Sequence, residues 1–349
     1  MAAERPTLDT VAQAAGVSRM TVSNAYNRPD QLSAATRARV LAVAAELGYG
    51  GPDPAGRSLR RGSTGTIGIV LTESLSYAFT DPGLVAFLRG IADVLSPAGR
   101  AMLLVPTHAG GAEDLVRSAL VDAFVVCSLG DDDPVVAAVR SRGLPLVTMG
   151  SPRLKGVPFL GIDNAAASGL AADHLVALGH RRLAVVGVPT TMTLDPDGPA
   201  VPSRGGFRRR VEGFVAAASR HGVDPASITV VEARNNSTDA GREAAAALMT
   251  GRRRPTGIFA VSDALALGVL GAAADADLHV PGDVSVVGFD GIDEAGYSRP
   301  PLTTVAQDLR AQGRLAGTAA LTLLEGSPVQ IPRTVPELVV RASTAPPRR

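Results

Sequence analysis

TLDTVAQAAGVSRMTVSNAYNRPDQLSAATRARVLAVAAELG, residues Thr7 to Gly48, decides the architecture of this 349-residue chain. It reads as three short helices joined by tight turns, the size and order of a helix-turn-helix DNA reader. Thr7 is an N-cap residue, and Asp9 places a carboxylate at the positive end of the first helix. Val11, Ala12 and Ala15 form one small apolar face, which Gly16 terminates. Ser18 caps a second helix, Arg19 to Tyr26, in which Val22, Ala25 and Tyr26 face inward. Arg19, Met20, Thr21, Ser23 and Asn24 are left pointing outward. Those residue types suit a major groove: Arg bonds guanine bidentately, Asn does the same with adenine, and hydroxyls hold phosphate. Ser33 caps a third helix, with Val40, Val43, Ala44 and Leu47 at helical spacing and Gly48 as its stop. The competing reading is an ordinary three-helix bundle with a solvated polar face.

Working outward, Asp53 at an N-cap and Pro54 at N1 predict a short hinge helix over about 53–61. Its single large apolar residue, Leu59, is flanked by Arg57, Arg60 and Arg61. A leucine without a local core suits an apolar wedge between base pairs of the minor groove, with arginines neutralising phosphate. A linker with an incidental leucine is the alternative.

After Gly65 the pattern changes to short β-branched runs alternating with helical stretches: TIGIVL, AMLLVP, AFVVCS, PLVTMG, RLAVVG, ITVVEA, GIFAV and VSVVGFD. This predicts an α/β fold, with parallel sheets and crossover helices long enough for two lobes. Ligands in open α/β sheets sit beyond the carboxyl ends of strands, so two facing lobes place a cleft there. No GxGxxG or GxxxxGK[ST] follows any strand, which argues against dinucleotide and P-loop chemistry.

TLDTVAQAAGVSRMTVS, TRARV, ELGY, RSLRRG, TIGIV, HLVALGHRRLAVVG, FAVSDALALG, DVSVVGFD and PPLTTVAQD together resemble the lactose-repressor (LacI/GalR) family over almost the whole chain. The resemblance implies a helix-turn-helix domain with hinge helix at 1–62, then a two-lobed core resembling periplasmic sugar-binding proteins at 63–345. Its N-lobe would be about 63–164 and 309–332, its C-lobe about 165–308 and 333–345, with a tail at 346–349. By the match, Arg19, Met20 and Asn24 fall on base-reading positions, Thr7, Ser23, Asn27 and Thr36 on backbone-contacting ones, and Leu59 on the intercalating position. Tyr49 to Leu59 is one residue longer than the family spacing, and Gly56 replaces a common alanine, which weakens a hinge helix.

Candidate cleft residues are polar groups at strand ends. Asp263 follows GIFAVS and Asp290 follows VSVVGF, each leaving a carboxylate beyond an apolar strand where it can accept from hydroxyls. Arg210 opens RVEGF, where the family's arginine contacts the effector. An arginine and two carboxylates suit a polyol, each charge-assisted bond contributing about 1.5–3 kcal/mol. Asn236 falls where sugar-binding relatives often carry a stacking tryptophan, and the chain has no Trp, so Tyr77 and Phe79 are the expected stacking residues, with Asp81 as a further acceptor. Ser128 and Gln307 are assigned by position. Gly150 replaces an aspartate of some relatives, which speaks against a simple galactoside. Each has a structural alternative: Asp263 and Asp290 as helix caps, Arg210 within the solvated run Arg204, Arg208, Arg209, and Tyr77 and Phe79 as core.

The expected partners are double-stranded DNA bearing a palindromic operator, a small carbohydrate effector and a second copy of the chain. Residues 1–62 hold eight arginines against five acids, so the basic end is the DNA-reading end. No terminal apolar signal segment and no run near 20 apolar residues occurs, which predicts a cytoplasmic protein without membrane contact. The single Cys127 is expected to be inert core, and His174 and His180, six apart, to be structural, with no metal or other cofactor. The expectation is a non-enzymatic regulator, most simply a sugar-responsive repressor. Paired carboxylates also occur in glycoside hydrolases, and two lobes in solute-binding proteins, but neither explains residues 1–62. No heptad leucine repeat follows RASTAP, so a dimer is expected over a tetramer.

Overall fold

The computed structural model describes residues 6–51, 62–72, 74–107, 110–130, 132–189, 191–193, 200–202 and 205–348. The expected hinge helix, with Arg57 and Leu59, lies outside the described residues. The chain divides into two compact units, residues 1–65 and 66–349.

In the first unit, α1 (Leu8–Ala15), α2 (Arg19–Asn27) and α3 (Ala34–Glu46) begin at the expected caps. The Ser18 and Ser33 hydroxyls accept from the amides of Thr21 and Thr36, and Thr7 and Thr10 form a reciprocal capping box. Gly16 closes α1 in the left-handed conformation, φ 62°, which a side chain would strain. A small core of Val11, Val22, Val40 and four alanines joins the helices. Leu47 is 42% exposed and contributes little to it.

In the second unit, one sheet has the order β2-β1-β3-β4-β5 and is parallel throughout: β1 (Thr66–Leu71), β2 (Ala101–Pro106), β3 (Ala123–Cys127), β4 (Leu146–Met149) and β5 (Phe159–Leu160). The helices α4 (Leu75–Ala78), α5 (Pro82–Leu95), α6 (Ala112–Ser118) and α7 (Pro134–Ser141) connect its strands. The chain then leaves through α8 (Asn164–Ala177) to β6 (Leu183–Gly187). After a hairpin of β7 (Thr191–Thr193) and β8 (Ala200–Pro202) come α9 (Gly205–Arg220), β9 (Thr229–Glu232), α10 (Thr238–Ala246), β10 (Gly257–Ala260), α11 (Asp263–Asp275), β11 (Ser285–Asp290), α12 (Asp293–Tyr297) and β12 (Thr303–Ala306). Helix α13 (Leu309–Leu324) returns to pack on α5, and β13 (Glu337–Val339) adds antiparallel to β12. The second sheet thus has the order β13-β12-β11-β10-β6-β9.

Strands β6 and β10 are buried along their whole length, as apolar runs covered by helices on both faces must be. Phe214 stacks on Phe259 at 4.8 Å between centroids, and Phe289 meets Phe259 edge-on at 6.5 Å. Strand β12 was not among the eight predicted runs, since its TTVA carries two threonines, both buried here. Three helix pairs, α5 with α13, α8 with α9 and α10 with α11, cross at glycines. A Cβ on Gly241 would lie 2.6 Å from the Leu265 carbonyl oxygen, and those on Gly90, Gly313, Gly213 and Gly268 would run into facing backbone.

Residues 343–348 strap the C-terminal end across the second sheet. The Ser343 hydroxyl donates to the Val286 carbonyl, the Ala345 amide donates to the Ser285 hydroxyl, and Arg348 pairs with Asp283. His180 sits under the strap, its Nε2 2.9 Å from the Ala345 carbonyl and its Nδ1 3.0 Å from the Thr256 hydroxyl. His174 meets the Thr344 hydroxyl. Both histidines are therefore engaged structurally.

Candidate functional sites

On the first unit, Arg19 and Met20 project from the start of α2, with Met20 70% exposed. Arg19 reaches Asp9 at 3.6 Å, both side chains about two-thirds exposed, which leaves the guanidinium available to a groove. Thr21 is half-buried and its hydroxyl meets that of Ser18 at 2.9 Å. Asn24 donates to the Gln31 side chain at 3.3 Å. The expectation for Ser23 is corrected: it is 9% exposed and does not point outward. Asn27, a turn further on and half-buried, donates back to the Ser23 carbonyl at 3.0 Å. The hydroxyls of Thr7 and Thr36 act at the starts of α1 and α3, in a cap and beside one.

In the second unit a cleft of about 820 Å³, counted to its open mouth, lies at the carboxyl ends of both sheets. Six of the expected residues line it together: Asp81, Ser128, Arg210, Asn236, Asp290 and Gln307. Asp81 caps α5, its Oδ1 accepting from the amides of Gly83 and Leu84 at 2.9 and 3.2 Å. Arg210, on the second turn of α9, donates through Nε to Asn164 Oδ1 at 2.9 Å. Its Nη1 donates to the Val261 carbonyl at 2.7 Å and to Asp290 Oδ1 at 2.9 Å. Gln307 donates to the same Asp290 oxygen at 2.7 Å. Burial raises the Asp290 carboxyl above its ordinary value, with Arg210 opposing and Asp81 assisting the rise. The Asn236 Oδ1 accepts from the Ser262 hydroxyl, which itself accepts from the Leu265 amide. With Oδ1 engaged there, the amide nitrogen is the group this cleft-lining side chain has left to donate. Acceptors, donors and hydroxyls around one small space match a polyhydroxylated molecule.

Three expected residues do not line the cleft. Asp263 has no exposed surface. Its Oδ2 accepts from the amides of Gly291 and Ile292 at 2.7 and 2.9 Å, and its Oδ1 accepts from the Thr304 hydroxyl at 2.5 Å. The hydroxyl it receives is thus the protein's own, and it clamps the loop that follows Asp290. Burial first, then the Asp290 charge, pushes its carboxyl up to about 7 against these three bonds. Ser262, not Asp263, is the N-cap of α11. Phe79 is 66% exposed and away from the cleft, and Tyr77 is buried with its hydroxyl donating to the Asn236 carbonyl at 2.9 Å. Neither offers a ring face to the cleft. Phe207 lines it instead, on the first turn of α9 with Arg210 5.5 Å from its centroid.

Asn164, Phe207 and Gln312 are cleft residues that sequence reasoning missed. Asn164 follows Asp163, the cap of α8, and only the fold brings it to Arg210. Gln312 is 1% exposed and donates to the Gln307 carbonyl at 2.7 Å. A lone glutamine one turn into an otherwise small-residue helix face was the available signal. Cys127 is buried as expected, but at the cleft wall. Gly150 has φ +75°, and a Cβ there would fall 2.7 Å from Ser128 Oγ, so the aspartate of some relatives does not fit this backbone. Among the described residues, no group of three metal-ligating side chains is assembled, and no helix is long and apolar enough to cross a membrane.

Comparison with known proteins agrees with both units. Residues 7–51 match the family model described as bacterial regulatory proteins, lacI family, and residues 172–344 match a periplasmic binding protein-like domain. An HTH-type transcriptional regulator of Mycobacterium tuberculosis is 41% identical, covering 91% of this chain and 90% of its own. The HTH-type transcriptional repressor CytR of Escherichia coli is 34% identical over 97% and 96%. Among solved structures, the lac repressor dimer bound to operator and the anti-inducer ONPF superposes with a TM-score of 0.75 at 26% identity, covering 98% and 100% of the two chains. A complex of the transcriptional regulator CelR with cellobiose gives 0.65 at 29%, covering 97% and 100%.

Proposed function

Because the chain belongs to the lacI family of bacterial regulatory proteins, we propose that it is a sequence-specific repressor whose grip on DNA is set by a small carbohydrate or carbohydrate derivative. The observation that carries this reading is the convergence of Asp81, Asp290, Arg210 and Asn236 on one cleft. A neutral polyol satisfies all four at once: its hydroxyls donate to the carboxylates and accept from the guanidinium and the amide. CelR holds cellobiose, which supports a sugar for this cleft too.

The working unit in this reading is a homodimer, two α2 helices reading the half-sites of an inverted repeat. Arg19, Met20 and Asn24 supply base contacts, with Thr7, Ser18, Thr21, Asn27 and Thr36 at the backbone. Leu59 is the wedge and Arg57 a phosphate partner. An effector that prefers one lobe angle shifts the population between DNA-holding and DNA-releasing states. Induction by the sugar is the sign we propose.

Selection of bound duplexes from a random pool, repeated with a panel of mono- and disaccharides, tests the proposal. The expected result is an enriched inverted repeat whose retention falls with one of the sugars. Enrichment of no palindrome under any condition overturns it.

A further inference from the structure

Tyr77 and Asn236 belong to different lobes and meet across the cleft. Tyr77 lies on α4, directly after β1, and Asn236 directly after β9. The chain passes between the two sheets next to β5 on one side and next to β12 and β13 on the other. In the first sheet β5 is one edge and β1 lies toward the other. In the second, β12 and β13 are at one edge and β9 is the opposite edge. Tyr77 and Asn236 are therefore joined at the side of the cleft farthest from the connecting segments, where a hinged pair of lobes parts most.

We propose that Tyr77 is a positioning residue for the effector cleft, a latch whose hydroxyl holds the Asn236 backbone and so sets how far the two lobes open. Three observations carry this. The bond is 2.9 Å long and buried, with Tyr77 9% exposed, so water competes poorly for it. Its acceptor is a main-chain carbonyl, which ties the strand-end loop rather than a mobile side chain. The same residue lines the cleft with its side chain fixed by Ser262, so closing the latch and placing a cleft residue happen at one position. Opening the lobes breaks the tyrosine bond and withdraws Asn236 from the residues of the first sheet, Asp81 and Ser128 among them.

The inference rests on the two-lobed fold and the cleft, and its test needs neither effector nor operator. Spin labels on cysteines placed at Ala137 and Ala216, exposed helix positions on the two lobes, report the inter-lobe distance in the full chain by pulsed dipolar spectroscopy, with excess unlabelled chain to dilute pairs between subunits. Tyr77→Phe removes only the hydroxyl and should raise the open-to-closed ratio about fivefold, the loss of one neutral hydrogen bond. Phe79→Ala, exposed and outside the cleft, should leave the distribution unchanged. A Tyr77→Phe distribution superimposable on the parent, or an equal shift in Phe79→Ala, overturns the latch while leaving the proposed function standing.

Discussion

Arg210 lies over the ring of Phe289 with its guanidinium carbon 3.7 Å from the centroid, while the same group donates to the carboxylate of the next residue, Asp290. One planar cation thus uses its face and its edge together, which a lysine ammonium does not do. Arg210→Lys should lose effector response while keeping operator binding. Arg210→Ala, which strands a buried carboxylate, should also lower unfolding free energy by about 3–5 kcal/mol in urea titrations. Normal effector response in either variant would remove Arg210 from the cleft chemistry.

Gly150 faces Ser128 so closely that any side chain meets its hydroxyl, and its φ of +75° adds backbone strain. Gly150→Ala should cost about 1–3 kcal/mol of stability. Adding Ser128→Ala relieves the clash and should recover part of that loss, with a residue of about 1 kcal/mol from the backbone. No recovery in the double variant would mean the hydroxyl is not the obstacle.

Asp263 carries a carboxyl pushed from an ordinary 3.8 to about 7. A raised folded value favours the protonated group, so its contribution to stability is full below about 3.8 and lost as pH rises through about 7. Chemical denaturation of the parent across that range should show this falling component. Asp263→Asn, though less stable throughout, should show a flatter profile; an unchanged slope would assign the titration elsewhere.

His180 and His174 are pushed below their ordinary 6.5 by burial. A depressed histidine contributes stability that is present above 6.5 and lost as pH falls toward the folded value. The strap over residues 343–348 should therefore loosen on acidification. Amide exchange at Ala345, corrected for its intrinsic pH dependence, should accelerate below pH 6.5 in the parent. In His180→Gln that acceleration should be much reduced.

Among the described residues, Arg19 makes one ion pair, an exposed contact with Asp9 at 3.6 Å. Arg19→Ala should leave the unfolding free energy within about 0.5 kcal/mol of the parent. Operator affinity should fall by about 1–3 kcal/mol, with discrimination relaxed at one base pair, as read by competition binding against single-base operator variants.

Cleft residues were legible where a simple geometric rule applied. Asp290 and Asn236 follow strands, Asp81 starts a helix after a strand, and in parallel sheets those points all face one end. Asp263 occupies an equivalent place and yet is sealed by Thr304 and two amides, partners that come from 28 to 41 residues away. Nothing local distinguishes the two aspartates. Phe79 and Phe207 present the same difficulty: each is an aromatic near a strand end, yet Phe79 is in solvent and Phe207 lines the cleft. Ser23 misled because small hydroxyls are compatible with either side of a helix, whereas Val22 beside it permits only one. Caps, by contrast, are local chemistry, and Thr7, Ser18 and Ser33 stand where their side chains demanded.

The glycine crossings have a mechanical consequence. Where helices touch backbone to backbone, sliding one past the other requires first prising them apart, so each lobe transmits force as a stiff lever. Compliance is then concentrated in the few junctions between levers, and a small torque exerted by a bound molecule reaches the far end undissipated by soft packing along the way.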